Sequence, residues 1–224
     1  MHAVRVHEGA ELRWEEVPDP EPGTGEAVVE LRCAAVNRRD MLVRRGVYPF
    51  PLPVIPGSDG AGVRRDTGEE VVILPSLHWG TGEAAPGPDF EILGGPRDGT
   101  YAELVALPVE NLYPKPAGLT WEEAAAFPLA ALTAYRALFR RGALHGGETV
   151  LVLGAGSGVS TIAVQLAVQA GARVLVTSSS DEKIERARQL GAAGGVNYAT
   201  TPDWPAAVRE LGGADLVLDS VGST

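Results

Sequence analysis

Thr149-Val150-Leu151-Val152-Leu153-Gly154-Ala155-Gly156-Ser157-Gly158-Val159-Ser160 is the stretch whose reading decides the fold. Its first five residues are aliphatic or β-branched and predict a buried strand. A glycine-rich turn follows. Beyond it Val159, Ile162, Ala163, Leu166, Ala167 and Ala170 recur at the i, i+3, i+4 spacing of a helix with one apolar face. Strand, glycine turn and helix in this order make the first half of a dinucleotide-binding βαβ unit. A pyrophosphate needs backbone N–H groups and the positive end of a helix dipole. A Cβ in the turn would hold it away. Gly154 and Gly156 supply the first two glycines of G-x-G-x-x-G, but the sixth position is Val159. The small residue that lets helix pack on strand is then Gly158 or Ser160. Glycines alone are weak evidence, since a tight strand-to-helix turn in any α/β protein looks similar.

The next segment supplies context. Ala172-Arg173-Val174-Leu175-Val176-Thr177 reads as a second strand, and Ile184, Ala187 and Leu190 mark a second helix closed by Gly191. That strand ends about 20 residues past the turn, where an NAD-binding unit carries an Asp or Glu for the ribose 2′-hydroxyl. This chain has Ser178 there. A carboxylate would repel a 2′-phosphate. A serine donates a hydrogen bond to it, and Lys183 sits one helical turn on. The pattern favours NADP(H). A local reading stands beside this one: Ser179 and Glu182 form an S-x-x-E capping box and Lys183 is a solvated helix residue. The two are compatible, because different serines can serve each purpose.

Composition sets outer bounds. The 224 residues are 45% hydrophobic and carry a net charge of −10. That charge argues against a nucleic-acid surface. No apolar run is long enough to span a bilayer, and Met1-His2-Ala3-Val4-Arg5-Val6 lacks the apolar core of a signal peptide. Cys33 is the single cysteine, which excludes an internal disulfide and fits a reducing cytoplasm.

Residues 1–118 read as mostly β. Ala3–Val6, Leu12–Val17, Glu70–Leu74 and Tyr101–Leu107 are short strands. In Ala27–Val36, Val29, Leu31, Cys33 and Ala35 alternate with Glu30 and Arg32, so Cys33 faces the core as a small hydrophobe. Residues 36–42 turn into a short helix that Gly46 ends. Four prolines between Tyr48 and Pro56 exclude regular structure there. Pro75–Gly99 is an irregular loop longer than ordinary connections. Thr120 and Glu123 then form a capping box, and a helical stretch interrupted at Pro128 runs to about Arg141. Everything after that alternates β and α, with Asp203 capping a helix that starts Trp204-Pro205.

The motifs, taken together, resemble the medium-chain dehydrogenase/reductase superfamily, in its zinc-free quinone oxidoreductase-like branch. The carrying stretches are Cys33-Ala34-Ala35-Val36-Asn37-Arg38-Arg39-Asp40, Pro56-Gly57-Ser58-Asp59-Gly60-Ala61-Gly62, Gly99-Thr100-Tyr101-Ala102-Glu103, Ala124-Ala125-Ala126-Phe127-Pro128 with Leu132-Thr133-Ala134-Tyr135, the glycine turn, and Asp215-Leu216-Val217-Leu218-Asp219-Ser220-Val221-Gly222. The resemblance implies an α/β protein: a GroES-like β-barrel domain over 1–118 and a Rossmann domain over 119–224, with the active site in the cleft between them. Zinc-dependent members place a Cys ligand where this chain has Asn37 and a His where it has Ser58. Their structural zinc takes four cysteines from the loop here occupied by Pro75–Gly99, which has none. The implied enzyme therefore holds no metal, and reduces quinones or enones, whose own conjugation accepts hydride.

By the same resemblance Asn37, Asp40 and Tyr48 line the substrate cleft, Asn37 and Tyr48 as hydrogen-bond donors. Capping or salt-bridging is the alternative for Asp40, and packing in the Pro-rich loop for Tyr48. Gly154, Ala155, Gly156, Ser157, Gly158 and Val159 cradle the pyrophosphate. Ser178, Ser179 and Lys183 surround the 2′-phosphate, Tyr198 lies by the 2′-phosphate or the adenosine ribose, and Thr133 sits beside the nicotinamide amide. Family members run on past residue 224, into the last Rossmann strands and the usual homodimer edge. A truncated reductase, a non-catalytic NADP(H)-binding protein and a zinc alcohol dehydrogenase are the competing expectations, in that order.

Overall fold

The computed structural model describes residues 1–222. Their contacts divide them into two units, Met1–Leu129 and the chain from Ala130 onward.

In the first unit β1 (His2–Val6) and β2 (Leu12–Glu16) form an antiparallel hairpin. β3 (Glu26–Ala35) leads into α1 (Arg38–Arg44), followed by β4 (Asp59–Arg64), β5 (Glu70–Ile73), the two-residue strands β6 (Ser76–Leu77) and β7 (Glu91–Ile92), β8 (Leu104–Pro108), β9 (Leu112–Pro114) and α2 (Trp121–Ala126). The main sheet is antiparallel, in the order β8-β3-β4-β5-β9. This is the GroES-like β domain.

Val29, Val71, Ile73, Leu77, Leu93, Val105 and Leu107 build its core. Burying each such side chain is worth about 1.5–3 kcal/mol. The β3–β4 register slips between Leu31 and Cys33, a bulge that bends the long strand. Cys33 packs, half-buried, against the α2 cluster, and burial pushes its thiol pKa up.

α2 starts at the expected capping box. Thr120 Oγ1 accepts the Glu123 N–H at 3.2 Å, and Glu123 Oε2 accepts the Thr120 N–H at 2.9 Å. Ala124 and Ala125 of this helix pack on Ala61 and Val72. That packing puts α2 with the β domain, so the division falls at 129/130 where the sequence reading placed it at 118/119.

The second unit takes up at Ala130, within α3 (Pro128–Tyr135), which is followed by a π-helical segment, Arg136–Arg141. Then come β10 (Thr149–Leu153), α4 (Gly158–Gln169), β11 (Arg173–Ser178), α5 (Asp181–Gln189), β12 (Gly194–Asn197), α6 (Trp204–Glu210) and β13 (Leu216–Asp219). The four strands are parallel, in the order β12-β11-β10-β13.

Alternate residues of these strands face opposite sides. Val150, Val152, Val174, Val176 and Leu218 pack against Ala163, Val164 and Ala167 of α4. Leu151, Leu175 and Val196 meet Val208 of α6. Burial on both faces is why the strands read as continuous apolar runs. The chain moves from β10 out to β12 and returns on the other side as β13. β10 and β13 therefore flank a topological switch point, where open α/β sheets bind ligands outside the strand C-termini.

Two local expectations are corrected. β11 runs one residue further than expected, to Ser178, which shifts the start of α5. Its N-cap is consequently Ser180, whose Oγ accepts the Lys183 N–H at 3.4 Å, and the Ser179–Glu182 box does not form. Glu182 instead pairs with Arg186 at 2.8 Å.

Candidate functional site

The glycine turn lies at the C-terminal end of β10. Gly154 and Gly156 have φ of 71° and 100°, a region that L side chains rarely adopt. Ala155 is buried and donates its N–H to the Thr177 carbonyl at 2.7 Å, which pins the turn to β11. Gly156, Ser157 and Gly158 are exposed. Ser157 is the N-cap of α4, and its Oγ accepts the Ser160 N–H at 3.1 Å. The other first-turn N–H groups have no partner within the helix. An exposed, left-handed glycine turn running into a twelve-residue helix suits a pyrophosphate.

The open choice over the small residue is settled in favour of Ser160. It is fully buried, and its Oγ donates to the Leu153 carbonyl at 3.3 Å, so it is the point where helix meets strand. A Cβ on Gly158 would meet only Ala130 Cβ, at an ordinary 3.7 Å. Val159, the second residue of α4, is partly buried against the core.

The residues expected near a 2′-phosphate divide. Lys183 is exposed, and its stem lies against Gly156. The two share a groove of about 470 Å³ between α4 and α5 that Arg186 also lines. Tyr198 is 45% exposed and donates its backbone N–H to the Ser178 carbonyl at 3.0 Å. Ser178 itself is 3% exposed, and its Oγ accepts the Ser180 N–H at 3.3 Å. The expectation that its hydroxyl faces a phosphate is corrected: the extended β11 turns that side chain inward, and the exposed serine is Ser179. Thr133 is on the exposed side of α3.

In the first unit α1 sits on a buried polar network. Asn37 donates its backbone N–H to Asp40 Oδ2 at 2.7 Å and its Nδ2 to Asp59 Oδ2 at 2.9 Å. The Tyr101 hydroxyl donates to Asp40 Oδ2 at 2.8 Å. Leu129 donates its N–H to Asp59 Oδ1, also at 2.8 Å. Asp40 is 5% exposed and Asp59 fully buried. Burial therefore raises the Asp59 pKa to about 6; the Asn37 and Leu129 donors oppose the rise, and the charge of Asp40 adds to it. Burial, and then the hydrogen bond to Asp40, push the Tyr101 phenol well above its ordinary value.

Asp40 is thus no cleft wall; among the described residues it forms no salt bridge, and it is the capping alternative that holds, its Oδ2 accepting the backbone N–H of the α1 N-cap residue Asn37. It sits beneath α1, holding Asn37 and Tyr101, and its Oδ1 has no hydrogen-bond partner there. Asn37 is half-buried and Tyr48 is 40% exposed. The Tyr48 and Phe50 rings stack on each other, and the Arg39 guanidinium lies 5.5 and 5.7 Å from their centroids. Ser58 is fully buried, its Oγ donating to the Leu93 carbonyl at 2.7 Å.

The sequence reading passed over Asp59 and Tyr101. A signal was present for Asp59: a lone carboxylate opening a strand that continues Gly60-Ala61-Gly62-Val63 is out of place unless it is hydrogen-bonded.

A GroES-like β domain followed by a parallel Rossmann sheet with a glycine turn defines a class of oxidoreductases that use nicotinamide cofactors. The family description "Alcohol dehydrogenase GroES-like domain" matches residues 23–117, and "Zinc-binding dehydrogenase" matches 158–224. The chain belongs to the medium-chain dehydrogenase/reductase superfamily. It is 43% identical, over 87% of its own length, to a zinc-type alcohol dehydrogenase-like protein of Schizosaccharomyces pombe, and spans 60% of that relative. It is 33% identical, over 94% of its length, to the acryloyl-coenzyme A reductase of Sulfurisphaera tokodaii, of which it spans 67%. Among solved structures, an NAD-dependent alcohol dehydrogenase superposes with a TM-score of 0.92 at 45% identity, covering 99% of this chain and 71% of that one. The quinone oxidoreductase from Thermus thermophilus, also determined with NADPH, superposes at 0.81 with 35% identity, covering 100% and 68%. No helix among the described residues is long and apolar enough to cross a membrane.

Proposed function

We propose that this chain carries the substrate residues and cofactor turn of an NADPH-dependent reductase of quinones or activated C=C bonds that works without zinc. The observation that carries the reading is the state of positions 37 and 58. Asn37 spends one amide N–H on Asp59, and Ser58 is locked onto the Leu93 carbonyl inside the core. Neither position carries the Cys or His side chain that a zinc site usually takes. Among the described residues no group of three or more His, Cys, Asp or Glu side chains is placed to hold a metal ion. A catalytic zinc takes three protein ligands as a rule.

NADPH, when bound, supplies the hydride. The chain's residues do the rest. Gly156, Ser157 and Gly158 offer backbone to the pyrophosphate, and Lys183 offers an ammonium to the 2′-phosphate. Asp59 is a charged acceptor, so it fixes the Asn37 amide with Nδ2 toward it. The second N–H of that amide remains for the substrate oxygen. The Tyr48 hydroxyl is a second donor. Hydrogen bonds to an oxygen that gains negative charge as hydride arrives stabilise the transition state more than the ground state.

Steady-state oxidation of NADPH and NADH with a panel of quinones, enones and simple ketones tests the reading. Turnover of conjugated acceptors with a preference for NADPH is expected, and treatment with a zinc chelator leaves it unchanged. Chelator-sensitive turnover of simple alcohols and ketones overturns it. So does tight NADPH binding with no turnover of any acceptor.

A further inference from the structure

We propose that the cleft at the C-terminal end of α1 binds the anionic, phosphate-bearing end of the substrate. The site is distinct from the glycine turn. It rests on the proposed reductase reading in one respect: the molecule whose anionic end it takes is the substrate of that reaction.

The first observation is charge. Arg38, Arg39, Arg44 and Arg45 fall within eight residues of a chain whose net charge is −10. Among the described residues none of the four forms an ion pair. Arg5, Arg13, Arg32, Arg64, Arg65 and Arg97 of the same unit all do. Arg39 makes its hydrogen bonds to carbonyls, the closer to Gly95 at 2.7 Å. Burial lowers the Arg39 pKa; the nearby Asp40 opposes that but is taken up by Asn37 and Tyr101. Arg44 donates its Nε to the Ala10 carbonyl at 2.9 Å. Arg45 is exposed. A protein this acidic repels anions at long range, so a local cluster of guanidinium groups outside any ion pair is the feature that reverses the field.

The second observation is shape. Arg44, Arg45, Tyr48, Phe50 and Leu52 line a cleft of about 250 Å³. That lies below the ~300–1,000 Å³ that encloses a whole drug-sized ligand. The cleft therefore takes one end of a longer molecule. Its wall is aromatic and aliphatic, suited to a flat ring, and the guanidinium fork matches phosphate oxygens. Arg39 lies over the Tyr48 and Phe50 rings and adds a third positive charge. The ligand class this selects is a phosphorylated nucleotide, with a flat base for the aromatic wall and phosphate oxygens for the guanidinium groups.

Coenzyme A and its phosphate-free fragment pantetheine are the probes, titrated calorimetrically against the full chain, the Arg44→Ala/Arg45→Ala double variant and the Arg45→Ala single variant. Coenzyme A is expected to bind the parent with a Kd that rises with salt. The Kd rises at least tenfold further in the double variant and by a smaller factor in the single one, which removes no hydrogen bond of the fold. NADPH affinity is unchanged in both. Equal coenzyme A affinity in parent and double variant overturns the site. So does pantetheine binding as tightly as coenzyme A, or loss of coenzyme A binding in Gly156→Val, which places it on the glycine turn. Arginine-dependent coenzyme A binding without reduction of any quinone, enone or crotonyl-coenzyme A supports the site and sinks the reductase reading. Reduction of neutral enones with no coenzyme A binding sinks the site alone.

Discussion

The stem of Lys183 lies over Gly156: a Cβ built on the glycine would stand 2.8 Å from Lys183 Cδ. One missing side chain thus serves two purposes. It leaves the turn open to a phosphate and lets the lysine fold back across it. Gly156→Val fills that space, forces Lys183 aside and resists the φ of 100°. Binding of NADPH and NADH is expected to be lost, while stability falls by about 1–3 kcal/mol. Val150, Val152 and Val164 pack elsewhere, so the fold survives. Thermal melts with and without NADPH check this. A folded variant that NADPH still stabilises as it does the parent overturns the cradle.

Cofactor choice is tested at Ser179 and Lys183. Ser178 is the wrong position, because Ser178→Asp would bury a carboxylate and unfold the strand end before any phosphate entered the comparison. Ser179→Asp puts the charge on the exposed side. It is expected to weaken NADPH by a factor of ten or more, about 1.4 kcal/mol at least, and to leave NADH nearly unchanged. Lys183→Ala acts in the same direction. Titration of both cofactors decides it; equal losses for NADPH and NADH refute a 2′-phosphate contact.

Asp59 gives stability a pH dependence of unusual sign. Its folded pKa is raised from 3.8 to about 6, so between those values the folded state binds more protons than the unfolded. Stability from this group is fully present below the unfolded pKa and is lost as pH rises through the folded one. At ~1.4 kcal/mol per pKa unit the loss is about 3 kcal/mol. Asp59→Asn does not titrate. The difference in unfolding free energy between parent and variant should therefore shift by about that amount, in the variant's favour, from acid to neutral pH. Denaturant melts across that range that run parallel for the two proteins contradict it.

Much of this was legible in the sequence because it depends on neighbours along the chain. The strand, turn and helix over 149–169, the Thr120–Glu123 box and the Asp203 cap are all local pairings of residue type with backbone need. What escaped depends on distant partners. Asp59 is buried because Asn37 and Leu129, 22 and 70 residues away, bring it donors. α2 joins the β domain because Ala61 and Val72 receive it. The shift from Ser179 to Ser180 as helix cap follows from one more residue of pairing, Ser178 with Asn197, which strand periodicity cannot count.

Asn37 and Asp59 should behave as a coupled pair. Asn37→Ala removes one of two side-chain and backbone donors from a buried carboxylate. The penalty falls on the ionised form, because a charged acceptor loses more than a neutral one when a donor disappears. Asp59 is ionised above about pH 6. The loss of stability is expected to be about 1–3 kcal/mol at neutral pH and to shrink as pH falls toward about 5. In Asp59→Asn the added Asn37→Ala change should cost less than in the parent, since no charge remains to strand. Denaturant melts on the four proteins of this double-mutant cycle measure the coupling. If Asn37→Ala is equally costly at both pH values and in both backgrounds, Asn37 is an ordinary loop residue. The charged pedestal that aims its amide at the substrate is then refuted.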